Sequence, residues 1–181
     1  MKNFELRIQA VKLINNEVIR LIDCWNNHPN TKTKVSYPEV RYTCKGNDAG
    51  KASKYYVDFN LDTATIKGNW DRFQNTVSHE IAHYIDFNIR GKSGHDSFWK
   101  KLHRFLGGDG SRTHSMKSLS KLKEYVYDVN GHKVTLTSIR HKKIQEKGEV
   151  YRCSGGRIDA SCDFEIKNES IEFETKLKLW N

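Results

Sequence analysis

Apolar residues recur at helical spacing through 4–25, where Leu6, Ile8, Val11, Leu13, Ile14, Val18, Leu21, Ile22 and Trp25 largely share one side. The pattern predicts a long amphipathic helix, ended by the polar run from Asn26 to Asn30 with His28 facing solvent. A second stripe, Phe73, Val77, Ile81 and Ile85, returns every four residues and predicts a helix over 70–89. Asp71 near its start suits the positive end of the helix dipole. Gly91 and Gly94 break this helix in a basic turn, and Phe98, Trp99, Leu102, Phe105 and Leu106 then predict another over 95–105. Two strands are expected near 35–44 and 53–60, joined by a turn over 45–51. In the second, Tyr55, Val57 and Phe59 alternate with Tyr56 and Asp58, so one face is packed and the other partly exposed. Past Leu106-Gly107-Gly108-Asp109-Gly110, a hinge, the pattern changes to short β segments at 124–129, 133–138, 149–153, 162–167 and 171–179. The last two read as a hairpin about Asn168-Glu169-Ser170. The fold class is α+β, with any domain boundary near 107–120.

Composition narrows this picture. At 181 residues, 36% hydrophobic and 11% aromatic, the chain can bury a core for one domain and a small appended subdomain. It has no run of about twenty apolar residues, so no membrane span is expected. The N-terminus lacks the apolar centre of a secretory signal. Four scattered cysteines, Cys24, Cys44, Cys153 and Cys162, suggest reduced thiols and a cytoplasmic or nucleoid-associated protein. The net charge is +9. Residues 117–157 hold ten Lys or Arg against four acids, whereas 158–181 hold three lysines against six acids. Localised positive charge attracts phosphate backbones, and Tyr125, Tyr127 and Tyr151 alternate with it as a stacking surface for unpaired bases would. A solvated basic face that only maintains solubility has the same composition.

The sharpest chemistry lies in His79-Glu80-Ile81-Ala82-His83. Residues four apart share a helix face, so two imidazoles can reach one metal ion while Glu80, one step round, reaches a water beside it. A catalytic zinc needs a third ligand. Metzincin spacing would put that histidine at position 89, which is isoleucine. His95 opens the helix that folds back after the turn and is the expected third ligand; the plainer reading is a surface histidine at a helix start. Asp86 and Asp96 either hydrogen-bond a ligand imidazole or are helix-surface acids. His103 and His114 read as packing or surface residues, and Tyr84 as a packed aromatic rather than an oxyanion donor.

These residues resemble the SprT-like family of zinc metalloproteases. The family signature, HExxH, a turn, then Gly-His and an aromatic, reads here as His79-Glu80-x-x-His83, Gly94-His95 and Phe98-Trp99. Weaker likeness extends upstream to Pro38-Glu39-Val40-Arg41-Tyr42, Gly50-Lys51-Ala52 and 55–60, which look like the family's two strands before the helix, and downstream to Leu106-Gly107, Arg112-Thr113-His114-Ser115, 139–144 and Tyr151-Arg152-Cys153. The resemblance implies a zincin-like metalloprotease core, helices packed on a small sheet, in 1–110. It also implies a small basic β-rich subdomain in 111–181 like a degenerate zinc ribbon. It further implies that an edge strand, taken here as 55–60, pairs with an extended peptide. The ribbon lacks its full cysteine set: Cys153 and Cys162 have eight residues between them. His132 and His141 could complete a Cys2His2 group, but ordinary thiols and packed histidines fit better, so no second zinc is expected. The leading expectation is a zinc-dependent endopeptidase with Glu80 as base and His79, His83 and His95 as ligands. It would act on DNA-associated or DNA-crosslinked proteins, with single-stranded DNA held by the basic C-terminal part. The alternatives are a non-catalytic nucleic-acid-binding protein with a structural or regulatory zinc, and a zinc peptidase that recognises acidic proteins.

Overall fold

The computed structural model describes residues 2–119, 123–168 and 170–180. Helix α1 (Lys2–Asn26) buries Leu6, Ala10, Ile14, Val18, Leu21 and Ile22, a stripe at three- and four-residue steps. Ile8, expected in that stripe, is 54% exposed, so the packed face is narrower than the apolar pattern. Three strands follow where two were expected: β1 (Glu39–Arg41), β2 (Gly50–Ala52) and β3 (Tyr56–Phe59). Strand β3 lies in the middle, parallel to β1 with Val40 opposite Val57, and antiparallel to β2 with Lys51 opposite Asp58. Gly50 and Lys51 close the turn expected over 45–51 and show no alternation; pairing with β3 and packing on a helix make Gly50–Ala52 a strand.

Two corrections follow. Both edges of β3 are taken, so no peptide can add to it, and the edge strand beside the helix of the His-Glu motif is β2. Asp58, expected on a partly exposed face, is 1% exposed. Its carboxylate accepts hydrogen bonds from Thr43 N (2.7 Å), Thr43 Oγ1 (2.6 Å) and Cys44 N (3.0 Å).

Asn60 caps the short helix α2 (Leu61–Thr65) by accepting from Thr63 N. Helix α3 (Trp70–Arg90) then crosses the unit, with Phe73, Val77, Ile81 and Ile85 wholly buried as their spacing predicts. It stops at Gly91, where φ is 71° and the N–H returns to Phe87 O, a backbone turn that favours glycine. Asp96 caps α4 (Ser97–Phe105) by accepting from Trp99 N at 3.0 Å. Helices α1, α3 and α4 and the sheet enclose one core.

The chain divides into two compact units, Met1–Lys117 with Glu172–Asn181, and Ser118–Ile171. The expected hairpin of 162–167 with 171–179 does not form. Instead, Lys67 N donates to Glu172 O and Glu174 N to Thr65 O, Leu177 is 2% exposed, and Trp180 stacks on Trp70 at 4.3 Å. The alternation in 171–179 therefore reflects docking on the first unit rather than strand pairing; the turn residue Glu169 lies outside the described residues.

The second unit holds the antiparallel sheet β5-β4-β8, built from β4 (Lys123–Val129), β5 (His132–Leu136) and β8 (Phe164–Asn168). Asn130 and Gly131, at φ 52° and 79°, make the tight β4–β5 turn. Between β5 and the β6–β7 hairpin (Tyr151–Cys153, Gly156–Ile158) runs a helix that the pattern did not reveal, α5 (Ser138–Lys147). Its Ile144 joins Tyr127, Val129, Leu136 and Ile158 in a small second core.

Candidate metal centre

Helix α3 sets His79 and His83 one turn apart, and the turn to α4 brings His95 back against them. The three Nε2 atoms form a nearly equilateral triangle: 3.2 Å from His79 to His83, 3.1 Å from His83 to His95, and 3.2 Å from His95 to His79. Three imidazole nitrogens bound tetrahedrally to one zinc at its usual bond length stand about 3.3 Å apart. A ring nitrogen offers one proton or one lone pair along a single direction, so three of them converging are better satisfied by a cation than by each other. All three rings are half-buried, and they are the only group of three metal-ligating side chains within reach of one another among the described residues.

One indole supports all three rings. Trp99 is wholly buried, lies nearly parallel to His83 at 4.9 Å and meets His79 and His95 edge-on at 4.6 Å each. Ser93 Oγ lies 2.7 Å from His83 Nδ1, which orients that ring with Nε2 inward. Asp86 and Asp96 do not reach the imidazoles. Arg90 holds both, at 2.5 and 2.7 Å to Asp86 and 2.9 and 3.1 Å to Asp96, and its guanidinium lies 4.4 Å over the Phe98 ring. Asp86 is wholly buried rather than a surface acid. The clamp joins the end of α3 to the start of α4 and so fixes the turn that carries His95.

Glu80 points to the sheet side and is 6% exposed. A Cβ on Gly50 of β2 would sit 2.8 Å from Glu80 Cγ, so only glycine lets the strand approach this carboxylate. Burial, helped by the charge of Asp48, pushes the Glu80 carboxyl up to about 8. Burial and the neighbouring rings push His79 down to about 3 and His83 down to about 4. Burial, then Arg112 and Lys100, lower His95 as well. Neutral imidazoles are the form that binds a metal.

The remaining candidates scatter. His103 is buried behind the site, its Nε2 3.2 Å from Ser78 Oγ, and His114 is exposed. Tyr84 is packed and donates to Ser36 O. His28 packs edge-on against Phe105 at 4.9 Å rather than facing solvent freely. In the second unit His141 stacks on Tyr125 at 3.7 Å, and its Nδ1 lies 2.9 Å from the Tyr127 hydroxyl. Cys153 and Cys162 pack at the edge of the small core, and His132 is exposed. Tyr127 is 0% exposed, which removes it from any base-stacking surface. The pattern did not reveal the roles of Gly50, Ser93, Arg90 and Trp99. An arginine four residues after an aspartate, Asp86 and Arg90, was the available signal.

A family model, the SprT-like family, matches residues 18–118, a span that contains all three histidines and Glu80. That family is associated with metalloprotease-like function. No solved structure matches the chain.

Proposed function

The chain belongs to the SprT-like family, and from that premise we propose that it is a zinc-dependent endopeptidase acting on DNA-associated or DNA-crosslinked proteins. The 3.1–3.2 Å triangle of Nε2 atoms carries the reading. In it His79, His83 and His95 would hold the ion, which would supply Lewis-acid activation of a water and a carbonyl. Glu80 takes the proton the attacking water loses and passes it to the leaving amine. Burial raises the Glu80 carboxyl to about 8, and a bound cation would lower it towards neutral pH, where general acid–base catalysis is most effective. The outer edge of β2, unpaired among the described residues, lies beside Glu80 and suits addition of an extended peptide as a further strand. Main-chain pairing would tolerate many side chains, as proteins of varied sequence on DNA require. The net charge of +9 supports the DNA part of the proposal.

The test compares wild type with Glu80→Gln on a DNA-binding protein substrate, with and without single-stranded DNA, together with zinc content. We expect wild type to cleave, faster with DNA, and Glu80→Gln to keep its zinc while losing roughly 10²–10⁴-fold in rate. Zinc retention with no cleavage by wild type would replace the peptidase by a non-catalytic zinc protein. Equal cleavage by both forms would remove Glu80 as the base.

A further inference from the structure

The positive charge is not where the linear count puts it. The unit Ser118–Ile171 contains ten Lys or Arg and eight acids, a net of +2, because acids from 158–171 fold in among the bases. Arg157 pairs with Asp159 at 2.9 Å, Lys143 with Glu149 at 3.3 Å and Lys133 with Glu165 at 3.7 Å. The unit that holds the histidines has 21 Lys or Arg against 14 acids, a net of +7.

Part of that excess is concentrated beside the metal centre. Helix α4 buries Trp99, Leu102 and His103, and its open face presents Lys100, Lys101 and Arg104 at three- and four-residue steps. The helix contains no acid, and its capping Asp96 is already held by Arg90. Lys92 sits in the turn next to Ser93, which touches His83, and Arg112 and Lys100 are close enough for their charges to act on His95. The guanidinium of Arg104 covers Gly110 and so borders the loop that leads to Arg112. Lys92, Lys100, Lys101, Arg104 and Arg112 are exposed and form no ion pair among the described residues. Unpaired cations aligned on one helix face match a polyanion rather than a set of structural ion pairs.

We propose that the open face of α4, flanked by Lys92 and Arg112, is a phosphate-backbone-binding surface that brings nucleic acid to the mouth of the metal centre. The inference rests on the nucleic-acid reading above and moves the contact from the C-terminal part to the unit that holds the histidines. The aromatic rings on this helix are engaged, Phe98 under Arg90 and Phe105 against Trp25 and His28. Recognition here is therefore of the backbone and independent of base sequence.

The experiment titrates zinc-loaded full-length protein with a fluorescent single-stranded oligonucleotide of mixed sequence over a range of salt. Wild type is compared with Lys92→Glu/Lys100→Glu/Arg112→Glu and, as the contrasting arm, with Lys142→Glu/Lys147→Glu in the second unit. Thermal unfolding and zinc content check that each variant is folded and loaded. The milder set of three changes to Gln replaces the first if it fails to fold. We expect the first variant to bind at least tenfold more weakly, with a log–log salt slope shallower by about 2, as the loss of three phosphate contacts implies. The second variant should stay within about threefold of wild type. Salt-sensitive binding by wild type that only the second variant weakens overturns the surface proposed here and leaves the nucleic-acid reading intact. Absence of salt-sensitive binding by wild type overturns that reading and this inference together. Replacement of the oligonucleotide by an acidic protein such as polyglutamate, bound more tightly at equal salt, would reassign the surface to acidic proteins.

Discussion

Gly50 shows how one absent methyl group shapes the site. Because a Cβ there would meet Glu80 Cγ at 2.8 Å, Gly50→Ala must displace the carboxylate or the strand. We expect a stability loss of about 1–3 kcal/mol, typical of overpacking, and a larger proportional loss of the proposed proteolysis than of metal affinity, since Gly50 touches none of the three histidines. Unchanged kcat with unchanged melting temperature would refute the close approach. Asp58 offers a pH-dependent counterpart. Burial alone would raise its carboxyl, but hydrogen bonds from Thr43 and Cys44, with Lys51 nearby, outweigh burial and hold it below its ordinary value. A carboxylate lowered on folding stabilises the protein fully above about pH 4. That contribution disappears as the pH falls through the lowered value, where the folded state also takes up the proton. Asp58→Ala should therefore cost about 2 kcal/mol at pH 7 by urea unfolding, from stranded Thr43 and Cys44 N–H groups, and less at pH 3. A gap that does not narrow in acid would show that the charge is irrelevant. The convergence of His79, His83 and His95 was legible because helical spacing and a single turn determine which side chains meet. Asp96 is the exposed helix-start acid its plainer reading made it, whereas Asp86 was misjudged because its partner, Arg90, was counted only as part of a basic turn.

Elements differed in legibility for a physical reason. Helix α3 has a full apolar stripe, and every member of it is buried. Helix α5 has only two isoleucines, of which Ile139 is 65% exposed and Ile144 buried, so there was no stripe to read; its Thr137 and Gly148 caps were the remaining signals. Strand β2 is held by its neighbours rather than by its own pattern. The junction of α3 and α4 depends on Arg90, whose loss would leave Asp86 wholly buried with no cation beside it. Arg90→Gln should destabilise the protein by about 3 kcal/mol, the scale for an unpartnered buried charge. It should also lower zinc affinity at least tenfold in a chelator competition, because the turn bearing His95 loses its anchor. Lys at this position should recover little, since it cannot make the paired contacts to both carboxylates. Full zinc affinity in Arg90→Gln would show that the turn holds its shape without the clamp.

At the scale of the whole chain, the first unit is closed by residues far apart in sequence. Trp70 Nε1 donates to Lys178 O at 2.8 Å, Trp180 Nε1 donates to Trp70 O at 3.2 Å, and Gln9 bonds the backbone of Leu177 through both its amide atoms. No sequence pattern announces such a return, because Phe173, Leu177 and Trp180 pack on elements more than a hundred residues earlier. Among the described residues no helix is long and apolar enough to cross a membrane. The return makes the second unit an insertion, leaving the first unit after Lys117 and rejoining it at Glu172. A chain cut after residue 117 would lose the segment that covers Trp70, whereas one in which 119–170 are replaced by a short flexible linker would keep it. The linker form should melt several degrees above the truncated form and retain the zinc-dependent rise in melting temperature. Equal melting of the two would mean that the tail contributes nothing. Hence a nick in the inserted unit would leave both parts of the first unit held together by the contacts of the returning segment with Trp70 and Gln9.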